Sequence, residues 1–214
     1  MLRYIEHNEL LTILLAAGLI FIALAKLAAP ARFLDFMNIL IKPKYLKIYS
    51  KDQKFVDFFD ALLFANLIVC TTVFGYIIYK YAFGVQMVHP DVLIKISVSV
   101  GTFIIAKVLL ERLIGSLFEM DNLIDTYLFQ KISYKNFLGL ILLPLNAFFL
   151  YTLDISSTLI YSILVLLLLI NLTGLFSSLK THQSLIKNHL FYFILYLCAL
   201  EIAPYLVLYK VFVS

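Results

Sequence analysis

The chain has little of the charge that a water-soluble domain needs. Only 14% of its 214 residues are charged, whereas 63% are hydrophobic and the mean hydropathy is +0.99. Soluble domains have roughly a quarter of their residues charged and about half apolar. Because so few polar groups cannot cover a water-facing surface, the bilayer must be part of the solvent. This composition excludes a soluble enzyme, a secreted disulfide scaffold and an ordinary nucleic-acid-binding domain.

Glycine, proline and cysteine are also scarce. Seven glycines and five prolines leave no room for long disordered linkers or a glycine-rich phosphate loop. The two cysteines, Cys70 and Cys198, each lie in an apolar run and show no Cys-x-x-Cys spacing. We therefore expect packed core residues rather than a disulfide or a redox pair.

Six apolar segments are long enough, or nearly so, to cross a bilayer, since hydrocarbon about 30 Å thick requires roughly 20 apolar residues per helix. The expected spans are residues 10–29, 61–79, 92–110, 137–153, 158–176 and 190–209. Leu113–Phe129 is expected to be an interfacial helix or a shallow re-entrant piece. We predict an all-α polytopic membrane helix bundle, with residues 1–214 forming one integral membrane domain.

Basic residues concentrate in alternate loops of this arrangement. Residues 30–57 form the most basic loop, and the loops after the third and fifth spans are also basic. The remaining loops and the termini contain only Arg3, Lys80 and Lys210, with Lys95 just inside a span. The positive-inside rule therefore places the first, third and fifth loops in the cytoplasm and both termini in the periplasm.

The first of these basic loops is expected to lie on the membrane surface. An apolar stretch, Phe33–Ile41, precedes a lysine cluster with interleaved aromatic residues, a pattern typical of a helix at the headgroup level of an anionic leaflet. The lysines expected to contact anionic lipid headgroups are Lys42, Lys44, Lys47, Lys51 and Lys54. The alternative is a basic loop that only enforces topology. Nucleic acid is not an expected partner, because nothing else resembles a recognition module.

Glu201 is the main candidate for a functional charge. It lies about 16–17 Å into the sixth span, near the midplane, where an ionisable group is costly and usually has a function or a partner. Cys198 shares its helix face, and Pro204 follows within one turn. Two interpretations stay open. Glu201 is either a proton- or cation-sensitive carboxylate or partner anchor, or a protonated or ion-paired residue that locks the bundle.

Candidate partners for Glu201 lie at the cytoplasmic end of the third span. Lys107 and Glu111 are four residues apart and share a helix face, whereas Arg112 points elsewhere. Three alternatives stay open for Lys107. It reaches Glu201, it snorkels to the cytoplasmic headgroups, or it binds a lipid phosphate together with Arg112. Other polar residues in the spans, such as Asn66, Cys70 and Asn146, are expected to hydrogen-bond between helices.

The motifs of known membrane enzymes are missing from the chain. It contains no Gly-x-Ser-x-Gly elbow, no His-Glu-x-x-His and no paired aspartate motif. The predicted topology divides the four histidines between the two sides of the membrane, and none lies deep in a span, which argues against a shared metal or a haem. We expect no catalytic residue, no metal site and no cofactor.

Short motifs in the later spans resemble one known family. The motif residues are Gly139 and Pro144 in the fourth span, Lys107 and Gly115 in and after the third, and Tyr196, Cys198, Glu201 and Pro204 in the sixth. They resemble a family of polytopic inner-membrane proteins of Bacteroidota known as domain of unknown function 4271. The resemblance extends from about the second span to the end of the chain. It implies an integral inner-membrane protein of a two-membrane bacterium, and it implies no reaction.

These observations favour a non-enzymatic membrane component, either a transporter-like protein or a subunit of a membrane complex, whose buried charges bind a solute or a partner. The alternative is a lipid-binding or lipid-processing enzyme that uses Lys107, Glu111 and Arg112. An enzyme would gather its polar groups at one depth near one leaflet. A transporter often contains an internal repeat, which the sequence does not show. A subunit would leave an apolar, aromatic face uncovered.

Overall fold

The computed structural model describes residues 9–40, 44–50, 57–84, 88–117, 121–152 and 156–181, and every regular element in these ranges is an α-helix. The helices are α1 (Glu9–Ala28), α2 (Pro30–Met37), α3 (Lys44–Tyr49), α4 (Phe58–Phe83), α5 (Pro90–Leu117), α6 (Asp121–Tyr151) and α7 (Ser157–Thr181). The predicted all-α class is confirmed. Helices α1, α4, α5 and α6 are long and apolar enough to cross a membrane, and α7 has a shorter apolar part, Ser157–Asn171. The sixth expected span, residues 190–209, lies outside the described residues.

Helix α4 is the centre of the bundle. It packs against α1, α5 and α6, and 56% of its most apolar window is buried, compared with 22% for α1 and 17% for α5. A helix that is apolar all round suits this position, because it can bury every face. By contrast, many large apolar residues of α5 and α7 are exposed, as is expected of helices that contact lipid.

The long helices alternate in direction. Gly75 on α4 lies beside Ile96 on α5, and Gly101 on α5 lies beside Ile68 on α4, so these two helices are antiparallel. At the start of α1, the Thr12 hydroxyl is 2.6 Å from the Tyr151 hydroxyl at the end of α6, so α1 and α6 are antiparallel as well. This alternation is the one that successive membrane crossings require.

Two glycines allow α1, α4 and α6 to approach closely. A Cβ atom on Gly139 of α6 would lie 2.7 Å from the Cα of Leu67 on α4, and one on Gly18 of α1 would lie 3.0 Å from Oδ1 of Asn66. Small residues at such contacts are a common device of membrane helix packing, since helix association there depends on close van der Waals contact.

The first basic loop is a folded part of the bundle over residues 30–40 and 44–50. Pro30 starts α2 directly after Ala29, whose backbone is not helical, so the chain turns away from α1. Phe36 then makes edge-to-face contacts with Tyr45 of α3, Phe59 of α4 and Phe137 of α6. The described parts of the loop are therefore packed against the bundle, and the association of this loop with the membrane surface stays a prediction.

The expected interfacial or re-entrant segment, Leu113–Phe129, is absent as a separate element of the described structure. Helix α5 continues to Leu117, and α6 already begins at Asp121. With 31 residues, α6 is about 46 Å long and exceeds the thickness of the hydrocarbon. Hydropathy detects only the part of a helix that contacts lipid. The first half of α6 is polar but is covered by protein, so its helical character is missed by a search for apolar windows.

Candidate functional site

A fully buried ion pair joins α5 to α6. The Lys131 ammonium donates a hydrogen bond to Oε1 of Glu111 over 2.5 Å, and the two side chains are 6% and 0% exposed. The Lys131 nitrogen also lies 5.5 Å from the centre of the Tyr127 ring, a cation–π distance. Transferring each ion out of water costs several kcal/mol, so the pairing offsets a large desolvation penalty.

The second carboxylate oxygen of Glu111 differs from the first in its hydrogen bonding. Oε2 is buried and has no hydrogen-bond partner in the described part of the chain. A buried carboxylate with one paired and one unpaired oxygen retains the capacity to accept a further hydrogen bond or a cation. Glu111 is therefore an incompletely satisfied charge inside the protein.

The pair sits at the end of the bundle where α2 and α3 pack. Glu111 lies about 31 Å along α5 from Pro90, which is close to the thickness of a bilayer's hydrocarbon. Two residues before Lys131, Phe129 stacks on Tyr45 of α3 with ring centres 5.7 Å apart. The ion pair and the packed parts of the first basic loop therefore lie at one end of the bundle.

The sequence of α5 builds a strip that faces α6 here. Lys107, Glu111 and Gly115 are spaced by four residues, lie on one helix face and are all buried. A Cβ atom on Gly115 would lie 2.8 Å from Cγ1 of Ile124, so α5 and α6 are closest about one turn beyond the ion pair. This close approach excludes water from the Glu111 side chain.

Lys107 and Arg112 occupy different environments. Lys107 is 4% exposed, so its side chain lies within the protein and does not snorkel to the headgroups. Arg112 is partly exposed, and its Nε lies 3.5 Å from Oδ1 of Asp125 on α6, which is also partly exposed. The structure therefore places Lys107 and Glu111 on one buried strip and Arg112 on the surface beside it, which does not fit the alternative of a lipid phosphate shared by Lys107 and Arg112.

Further polar groups are buried in the same half of α6. Gln130 and Asn136 are fully enclosed, and Oε1 of Gln130 and both side-chain polar atoms of Asn136 have no hydrogen-bond partner among the described residues. Leaving such a group unpaired costs about 1–3 kcal/mol. This concentration of uncompensated polar atoms is unusual for a helix that serves packing alone.

Lys131, Gln130 and Asn136 were not predicted from the sequence, because they lie before the expected span at residue 137. A signal was nevertheless present. Ile124, Lys131 and Leu138 recur at intervals of seven residues, which places the lysine on an otherwise apolar helix face.

Amide groups link the middle of the bundle. The Asn146 amide of α6 donates to the backbone carbonyl of Cys70 on α4 over 2.9 Å, and the Cys70 thiol donates to Oδ1 of Asn66 over 3.4 Å. The expectation that polar residues connect the helices is confirmed at this point. Cys70 is free and buried, as expected of a core residue.

Arg32 forms a second charged site near the same end. Its guanidinium donates to Asp57 and, over 2.7 Å, to Oδ2 of Asp60 at the start of α4. It also lies 4.7 Å from the Phe59 ring centre and 5.0 Å from that of Tyr49. One residue of α2 thereby holds α2, α3 and α4 together.

The surroundings of Arg32 favour its charged form. Burial alone would lower the pKa of Arg32, but Tyr45, Asp60 and Asp57 outweigh it and raise the pKa above its ordinary value. Burial raises the pKa of the Tyr45 phenol, and the negative charge of Asp60 adds to this shift. The neutral phenol donates a long hydrogen bond of 3.4 Å to Oδ1 of Asp60.

A family model matches residues 11–212, which include nearly the whole chain and both charged sites. It describes a domain of unknown function, number 4271. The chain belongs to this family. No curated protein and no solved structure matches it.

Four of the residues on which the resemblance to domain 4271 depends lie in the described helices. Gly139 allows the close approach of α6 to α4, and Pro144 lies inside α6, which continues through it. Lys107 and Gly115 lie on the buried strip of α5. The others, Tyr196, Cys198, Glu201 and Pro204, lie outside the described residues, so the pairing of Glu201 with Lys107 stays a prediction. In the described ranges of this domain, no group of three or more histidine, cysteine, aspartate or glutamate residues could hold a metal ion.

Proposed function

We propose that this integral membrane protein is a non-enzymatic, transporter-like subunit of a bacterial inner membrane, with the Glu111–Lys131 pair as its functional element. The observation on which this proposal depends is the fully buried carboxylate of Glu111, with one oxygen bound to Lys131 and the other without a hydrogen-bond partner in the described ranges. The proposed orientation places this pair near the cytoplasmic side, with both termini in the periplasm.

A purely structural role explains the pair poorly. Replacing a buried ion pair by apolar residues is often neutral or stabilising, so such a pair is a weak device for stability. Ionisable groups enclosed in membrane helices commonly mark the paths of ions and solutes. Oε2 of Glu111, which has no hydrogen-bond partner among the described residues, offers an additional acceptor for a polar guest.

Helix α5 is suited to be the moving part. Only 17% of its most apolar window is buried, compared with 56% for α4 and 50% for α6, so α5 is the most loosely packed of these three helices. Its two ends are held differently. The backbone N–H of His89, next to the first residue of α5, donates to the Tyr76 hydroxyl over 3.1 Å, whereas the other end is held by Glu111 and the contact at Gly115. Breaking the ion pair would release one end of α5 while the other remains in place.

Accessibility labelling tests this proposal. We would replace Cys70 and Cys198 by alanine, introduce a cysteine at Ile124, which is buried where α6 meets Gly115 of α5, and reconstitute the protein in liposomes. A membrane-impermeant maleimide should label Ile124→Cys slowly, and Glu111→Gln should accelerate the labelling several-fold because α5 separates from α6. Arg112→Gln breaks the exposed ion pair between the same two helices and is the matched control. Equal labelling rates for Glu111→Gln and Arg112→Gln would contradict the proposal.

Lipid binding at the cytoplasmic leaflet is the second candidate function. It is favoured by one observation: Glu111–Lys131 and Arg32–Asp60 both lie at the same end of the bundle, as expected of a protein that acts on one leaflet. Mass spectrometry of the protein in mild detergent would distinguish the two functions. A lipid that co-purifies with the native protein and is lost in Lys131→Gln would favour lipid binding.

A further inference from the structure

Helix α2 presents two different apolar faces. Phe33 and Phe36 point into the bundle and are buried, whereas Leu34 is 63% exposed and Met37 is 42% exposed. Leu40, just after the helix, is also exposed. The buried face explains how α2 is attached to the protein. The outward face has no partner among the described residues, although exposing such side chains to water is unfavourable.

This outward face continues the exposed apolar surface of α1. Leu24 and Leu27, in the last turn and a half of the membrane helix α1, are exposed, and α2 begins two residues after α1 ends. On α3, Ile48 is exposed as well. An apolar face that follows directly from the end of a spanning helix lies at the level where acyl chains meet headgroups.

The sequence that follows this face is basic, which favours anionic headgroups. Five lysines, Lys42, Lys44, Lys47, Lys51 and Lys54, follow α2 in the sequence. Of the four acidic residues in this part of the sequence, Asp57 and Asp60 are bound by Arg32, and the other two are Asp35 and Asp52. Residues 30–60 contain six basic and four acidic side chains, so an excess of two positive charges is left for an external partner. Each lysine near an anionic leaflet contributes about 1 kcal/mol.

We propose that the outward face of α2, together with the lysines of residues 42–54, binds the anionic headgroup layer of the adjacent leaflet, and that Arg32 is the positioning residue that holds α2 in the required orientation. This surface is independent of the Glu111–Lys131 pair. Its failure in the experiment below would therefore leave the proposed function untouched.

The chain contains no tryptophan, so a single introduced tryptophan reports on one position without background. We would place the full-length protein, with Leu34→Trp, in nanodiscs of phosphatidylcholine with and without phosphatidylglycerol. Phe36→Trp is the inward control on the same helix. Val98→Trp, on an exposed face within α5, is the control for ordinary lipid contact. Quenching by lipids brominated near the headgroup measures the exposure of each tryptophan to the interface.

The proposal predicts how the quenching of the three introduced tryptophans should differ. Leu34→Trp should be quenched several-fold more than Phe36→Trp, its quenching should increase with phosphatidylglycerol, and added salt should reverse that increase because salt screens the lysines. Val98→Trp should respond to neither phosphatidylglycerol nor salt. The proposal is overturned if Leu34→Trp is quenched no more than Phe36→Trp, or if its quenching is the same in both kinds of nanodisc.

The role of Arg32 needs two variants. Arg32→Gln should reduce the quenching of Leu34→Trp and its dependence on phosphatidylglycerol, since α2 loses its attachment and Asp57 and Asp60 regain their effect. Arg32→Lys retains the charge but not the paired donors of the guanidinium, and should give an intermediate result. If Arg32→Gln does not fold, replacing Lys44, Lys47 and Lys51 by glutamine should still abolish the dependence on phosphatidylglycerol. Unchanged dependence in that variant would overturn the assignment of the lysines.

Discussion

The two charged sites at the end of the bundle where α2 and α3 pack differ in burial and in the number of partners. Glu111 and Lys131 form a one-to-one pair with almost no exposure, between a well-packed and a loosely packed helix. Arg32 instead forms ion pairs with two aspartates, of which Asp57 is about half exposed. A buried pair that loses one partner leaves an uncompensated charge, whereas water can replace part of what Arg32 provides. The first site therefore suits a switch, and the second suits a permanent attachment.

Breaking the Glu111–Lys131 pair should have the largest effect. Glu111→Gln or Lys131→Gln should each lower the free energy of unfolding by about 3–5 kcal/mol, because the remaining ion stays buried without its partner. Denaturation in mild detergent, followed by circular dichroism, measures this change. A loss similar to that of a surface pair would show that water reaches the site and that it is not enclosed as described.

Removing Arg32 should have a smaller effect. We expect Arg32→Gln to lower the free energy of unfolding by about 1–3 kcal/mol, since hydrogen bonds to charged groups are lost but Asp57 can be hydrated. Limited proteolysis should show cleavage within residues 30–57 before the rest of the chain is digested. If this loop is cut no faster in Arg32→Gln than in the native protein, Arg32 does not attach it.

Tyr45 should make the Arg32 site sensitive to alkaline conditions. Burial raises the pKa of its phenol above the ordinary value of about 10, so the folded state favours the neutral form. This contribution is complete below pH 10 and is lost as the pH rises above it. The native protein should lose more thermal stability than Tyr45→Phe between pH 8 and pH 11. The lysines titrate in both proteins, so the difference isolates Tyr45, and parallel losses would contradict the assignment.

Breaking the exposed pair Arg112–Asp125 should have the smallest effect on the free energy of unfolding. Arg112→Gln should change the free energy of unfolding by no more than about 1 kcal/mol, since its partners are partly exposed and 3.5 Å apart. The measurement is the same denaturation experiment. A loss as large as that of Glu111→Gln would mean that the two sites differ less than their burial indicates.

The helical fold was accessible from the sequence because long apolar runs have few alternatives to a membrane helix. The first half of α6 was not, because Gln130, Lys131 and Asn136 give it the composition of a loop. The sequence also could not show that Glu111 pairs with Lys131, since Lys131 lies twenty residues away on another helix. The two faces of α2 depend on which of its aromatic residues the bundle buries. The contacts of Phe36 with Tyr45, Phe59 and Phe137 decide that, and all three lie on other helices.

The coupling between Glu111 and Lys131 tests the central claim most directly. A double-mutant cycle with Glu111→Gln, Lys131→Gln and both together, read as free energy of unfolding, isolates their interaction from the effects of each residue alone. We expect the double variant to be destabilised by much less than the sum of the single variants, because it leaves no buried charge unpaired. Additive losses would contradict a functional ion pair between α5 and α6.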